Sequence, residues 1–127
     1  MNRKWEQYVN KYYDKLANFS FISRSIFLQG LLLLPEKQAL SIFPELESFL
    51  RVSNEIASKH KLTPIEMCVS YIKQCSFLKG VVIGANDSKQ LRETYRCFQS
   101  QYPSDLPYSD LPEVGQHVSD PRKWALR

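Results

Sequence analysis

The stretch "VVIGANDSKQL", residues 81–91, carries the types and spacing most open to chemistry. Val81, Val82 and Ile83 run into Gly84, and Asp87 then stands where a helix would start, with Gln90 three positions later. Such an arrangement has two uses. A glycine closes a tight turn between strand and helix, because it tolerates conformations that other residues avoid. It also lets a ligand approach the backbone, and the free N–H groups at a helix start, here near Asp87 and Ser88, bind an anion. Other chemistries find less support. His60 falls near the end of an expected helix and His117 in a proline-rich tail, and neither has a metal-ligating partner at sensible spacing. Cys68, Cys75 and Cys97 form no C-x-x-C pair and sit among apolar residues, which predicts buried thiols. Neither a metal site nor a catalytic residue is expected.

The chain that must position this stretch has 127 residues, enough for one domain with a real core. Apolar residues make up 43% and charged residues 24%, the balance of a folded globular protein. The net charge of +4 permits a nucleic-acid or phosphate partner without arguing for one, since acids are interspersed and no dense basic block occurs. The longest apolar run, "IFLQGLLLL", is too short for a membrane span. The N-terminus lacks the apolar core and cleavage site of a signal peptide. An odd cysteine count without such a signal predicts a cytoplasmic location, with neither membrane nor nucleic acid as partner.

Periodicity predicts the elements. Trp5, Tyr8, Val9, Tyr12, Tyr13 and Leu16 recur at helical spacing over residues 4–16. "FISRSIF" predicts a strand at 21–27, and the leucines before Pro35 lead into a loop or a short turn of helix. Pro44 opens a helix at 45–59 with Leu46, Phe49, Leu50 and Ile56 on one face. "LTPIEM" is a strong start signal: Thr63 as N-cap, Pro64 at the first helical position and Glu66 completing a capping box. That helix should run over 64–76, turning Ile65, Cys68, Ile72 and Cys75 inward. A strand at 81–83 follows, then a helix over 87–98 expected to bury Leu91, Tyr95 and Phe98. Prolines and lost periodicity mark 101–127 as an irregular tail that wraps the surface or is partly mobile. Alternating strands and helices predict parallel pairing. Two strands do not make a sheet that stands alone.

"RSIFLQGLLLL", then "LTPIEMCVSYI", then "VVIGANDSKQLRETYRCF" together resemble the C-terminal part of an aldo-keto reductase over residues 5–98. The closing "DPRKW" is similar to the tail of some bacterial members. The resemblance implies an α/β fold, the C-terminal portion of a (β/α)8 TIM barrel holding only its last strands and helices. Residues 1–100 would be the partial barrel, from its sixth helix to its eighth, and 101–127 the tail. It also implies NADP, with NAD as the alternative, held weakly or lost by so short a piece. By the family's motif Gly84 admits a phosphate, Asn86 and Asp87 line the 2′-phosphate position, Gln90 lies against it, and Glu93 and Thr94 approach the adenine. Arg24 and Ser25 stand where the family has a tyrosine stacked on the nicotinamide and a serine. Gln29 and Gly30 fall in its pyrophosphate loop. Asp87 replaces a common serine and brings an anion beside a phosphate, while Arg24 better suits a pyrophosphate or a substrate carboxylate.

The family's chemistry depends on an Asp, a Tyr, a Lys and a His from the early strands, and a complete barrel takes about 250 residues. The expectation is therefore a truncated aldo-keto reductase-like protein. Its parent activity is NADPH-dependent reduction of aldehydes or ketones, and this chain carries the cofactor-adenosine-binding half. It would self-associate or meet a chain supplying the missing half. Two alternatives remain at this point, a non-catalytic subunit and a small basic binding module.

Overall fold

The computed structural model describes residues 7–9, 11–16 and 18–124, excluding the side chain of Tyr13. Trp5 and Tyr13 of the expected first helix thus lie outside the described side chains. Residues 7–9 are helical, and helix α1 spans Tyr13–Leu16. Val9 is buried, whereas Tyr8 is half exposed and stacks obliquely on Tyr12.

Strands β1 (Phe21–Arg24) and β2 (Leu78–Val82) pair in parallel, Ile22 opposite Gly80 and Arg24 opposite Val82. Parallel adjacency is what the alternating pattern predicts. The strand limits are not. β1 ends at Arg24 rather than 27, because Ser25 turns into the left-handed region and its carbonyl accepts from Leu28 N–H. β2 begins at Leu78 and ends at Val82, with Gly80 in the ladder ahead of the β-branched run and Lys79 passed over where the register shifts.

Between the strands lie α2 (Glu36–Ile42), α3 (Glu47–His60) and α4 (Pro64–Gln74). The capping box of α4 forms as expected, Glu66 N–H donating to Thr63 Oγ1 and Thr63 N–H to Glu66 Oε2 at 2.8 Å. Thr63→Ala should cost about 1 kcal/mol, lowering the thermal midpoint by about 4 °C, while Thr63→Ser should leave it unchanged. Differential scanning calorimetry checks both.

α4 separates two cores. On one side Met67 joins Leu46, Phe49, Leu50 and Ile56; on the other Cys68 and Val69 pack with Ile26, Phe27 and Cys97 beneath the strands. All three thiols are buried as predicted. Burial pushes Cys68 up to about 12, so it stays a neutral thiol. Helix α5 (Ser88–Gln99) packs on α4, and Lys73 Nζ donates to the carbonyls of Phe98 and Ser100, a cation at that helix's C-terminus.

Two expectations need correction. α5 buries Thr94 and Cys97, not Leu91 and Tyr95, which are 50% and 63% exposed; Phe98 is partly buried. The side facing α4 is about one helical position away from the apolar pair. Nor does the tail merely wrap the surface. Its backbone is irregular, with a short helix α6 (Gln116–Ser119) and 3-10 turns at Tyr108–Asp110 and Pro121–Lys123, but Leu106, Tyr108, Leu111 and Val118 are core residues. Tyr108 hydroxyl bonds Ser70 and donates to Met67 carbonyl oxygen at 3.1 Å. Among the described residues no helix is long and apolar enough to cross a membrane.

Candidate functional site

Parallel pairing sends the loops after both strands out of the same end of the sheet, since Arg24 lies opposite Val82. The residues singled out above flank that end in two sets.

The first set follows β1. Ser25, Leu28 and Gln29 have φ of 54°, 47° and 52°, and Gly30 has φ of 90°. Such conformations cost non-glycine residues on the order of 1–2 kcal/mol each. The turn is held by Leu28, which is buried, and by Gly30 N–H donating to Phe27 carbonyl oxygen at 3.0 Å. This leaves Arg24, Ser25 and Gln29 exposed and Gly30 half-buried. Strain kept in this way concentrates at functional positions. The Arg24 guanidinium makes no hydrogen bond or ion pair with any described residue.

Arg24, Ser25 and Gln29 line a groove of about 860 Å³ whose far wall is the tail, including Gln116, Arg122 and Lys123. Sequence reasoning missed that wall. Its signal was the "DPRK" turn: Pro121 opens a 3-10 turn capped by Asp120, which accepts from Arg122 N–H. The Arg122 guanidinium binds the same carboxylate at 2.8 and 2.7 Å and holds it down to about 2. Lys123 Nζ donates to Gln116 Oε1 at 2.9 Å.

The second set follows β2 and lies outside that groove. Gly84 lacks a positive φ, and a Cβ built on it meets no atom of the described residues within 4 Å. Neither conformation nor packing in this chain therefore requires glycine there. Asp87 caps α5, its Oδ1 accepting Gln90 N–H at 2.7 Å, and Gln90 Oε1 accepts Asn86 N–H at 2.7 Å. These contacts use one carboxylate oxygen of Asp87 and the amide oxygen of Gln90. The amides of Ser88 and Lys89, in the first turn, have no acceptor among the described residues. Glu93 is exposed. Thr94 is 2% exposed and faces the core, out of reach of a ligand on this surface. The second set thus offers an open backbone at Gly84, two first-turn amides and the Gln90 Nε2 group, donors suited to an anion, with the Asp87 carboxylate opposing it.

The Aldo/keto reductase family model matches residues 1–106, a span that includes both strands and both loops. No curated protein and no solved structure matches the chain.

Proposed function

The chain belongs to the aldo/keto reductase family, and from that premise we propose that residues 84–93 hold the adenosine and 2′-phosphate end of NADP(H). The chain would be the cofactor-adenosine-binding half of a unit that reduces aldehydes or ketones. Gly84 carries this reading. A glycine that neither the backbone nor the packing of its own chain requires is accounted for by a ligand lying close over it. The residues fit such a group: first-turn amides of α5 would meet phosphate oxygens, Asn86 and Gln90 Nε2 would donate beside them, and Glu93 would border the base. Arg24, Ser25, Gln29 and Gly30, at the same end of the sheet, would face the nicotinamide side. When bound, NADPH supplies hydride to a carbonyl carbon. The chain's own part in this is to bind and orient, because its helix start places fixed dipoles where the phosphate comes to rest. Thr94 is left out of the contact set by its burial.

Asp87 sets the affinity. Its carboxylate caps α5 but brings a negative charge to an anion site. Serine caps a helix as well as aspartate does, so Asp87→Ser removes the charge and keeps the cap. Calorimetric titration of the full chain with NADP should give weak binding that tightens several-fold in Asp87→Ser. No binding at millimolar NADP would contradict the reading. Binding unchanged by the substitution would mean that the Asp87 carboxylate points away from the ligand.

A further inference from the structure

We propose that the groove between β1 and the C-terminal tail binds an organic anion with an apolar body, its carboxylate held by Arg24. The floor of the groove is apolar, formed by Val9, Phe21, Ile26, Ile72 and Phe77 among others, and its volume falls in the range of small-molecule sites. Its rim is cationic. Among the described lining residues, Arg24, Arg122 and Lys123 contribute three positive charges against the single carboxylate of Asp120, which Arg122 already engages through two hydrogen bonds. The Arg24 guanidinium has no partner among the described residues, and, planar and always charged, it is shaped for two-pronged contact with a carboxylate.

An apolar floor beneath a cationic rim selects a molecule with both characters. Bare pyrophosphate would satisfy the rim and leave the floor uncovered. A neutral aromatic would do the reverse. Most of the far wall comes from residues beyond 106, outside the family match. Only the name substrate rests on the proposed reductase lineage; on that reading the ligand is an aldehyde or ketone that also carries a carboxylate. Binding itself does not rest on it.

The test is calorimetric titration of the full 127-residue chain with 3-phenylpropionate, with 3-phenylpropanol and inorganic pyrophosphate as comparison probes. 3-Phenylpropionate should bind at least about tenfold tighter than the alcohol, the worth of one charge-assisted contact. Arg24→Gln should abolish that margin, Arg24→Lys should restore part of it, and Lys123→Gln should weaken binding less. Circular dichroism confirms that each variant folds, which is expected because Arg24 is exposed and unpaired. Equal affinity for acid and alcohol, indifference to Arg24→Gln, absence of binding at millimolar acid, or an Arg24 effect confined to pyrophosphate would each overturn the proposal. NADP titrated in parallel on the unaltered chain distinguishes the two readings, which share Arg24. Loss of NADP binding with retained acid binding removes the nucleotide reading and leaves this one standing.

Discussion

A chain ending at Leu106 is expected to lose its cooperative fold. Cutting there removes Tyr108, Leu111 and Val118, which are 6%, 3% and 0% exposed and lie in the cluster that holds Leu46, Phe49 and Leu50. Burial of one such side chain contributes about 1.5–3 kcal/mol. Three of them rival the whole stability of an ordinary domain, about 5–15 kcal/mol. The cut also removes the Tyr108 hydroxyl from Ser70 and Met67, the ring packed edge-on against Tyr71, and Trp124 from Phe43. Single changes should grade the effect. Val118→Ala, at a fully buried site, should cost about 2 kcal/mol. Tyr108→Phe should cost only about 1 kcal/mol, because Ser70 Oγ keeps Glu66 carbonyl oxygen as an acceptor. Urea unfolding followed by circular dichroism measures all three. A sharp transition at an unshifted midpoint in the shortened chain would contradict this view of the tail.

Residues 1–127 by themselves are expected to oxidise no NADPH in the presence of aldehydes, and to associate. The proton donor of this family's reaction, and the groups that tune it, are expected on strands other than these two. The described sheet has two strands, and three or more are ordinarily needed for independent stability. Ile22 and Val82, on strands paired to one another, are 60% and 58% exposed; Phe19 beside β1 and Tyr95 on α5 are more exposed still. Apolar strand faces and free parallel edges recruit further strands, so such a sheet is expected to meet a second chain. Sedimentation at tens of micromolar should show dimers or larger species. Ile22→Lys combined with Val82→Glu should shift them toward monomer without lowering the thermal midpoint, since both side chains already face solvent. Turnover above background on an aldehyde panel, or a stable monomer of the unaltered chain, would contradict the expectation.

The parts of the fold legible in the sequence were those written locally. "TPIE" specifies its own helix start because cap, proline and returning carboxylate act within four residues, and the structure forms each contact. The apolar face of α3 was equally clear, and Leu46, Phe49, Leu50 and Ile56 are all buried. Failures came where a distant element decided. Leu91 and Tyr95 have helical spacing and so read as a buried face, yet α5 is oriented by its contact with α4, which takes Thr94 and Cys97 instead. The tail lacked periodicity because its buried residues hang from irregular backbone, so spacing could not mark Tyr108 or Val118 as core. The end of β1 was hidden for a related reason. Ser25, Leu28 and Gln29 carry no mark of positive φ, and only Gly30 does. At the candidate site Asp87 and Gln90 were visible as a helix start, and the family resemblance is what suggested a nucleotide there. That their side chains also bind the chain's own amides could not be read from residue types. The second wall of the groove, from Gln116 to Lys123, depends on a tail that returns to β1 from nearly a hundred residues away.

Gly84→Ala tests the proposed nucleotide site most directly, if thermal melting and NADP titration are measured on the same variant. The backbone at Gly84 is open to any residue and its Cβ direction is empty. Alanine should therefore leave the melting midpoint unchanged or raise it slightly, through an unfolded chain with less freedom, a gain of about 0.4–1 kcal/mol. NADP affinity should nevertheless fall at least about tenfold, because the added methyl group occupies the space over which the phosphate would lie. A lowered midpoint with NADP affinity unchanged would show that the glycine serves the turn alone and that residues 84–93 are not the cofactor's seat.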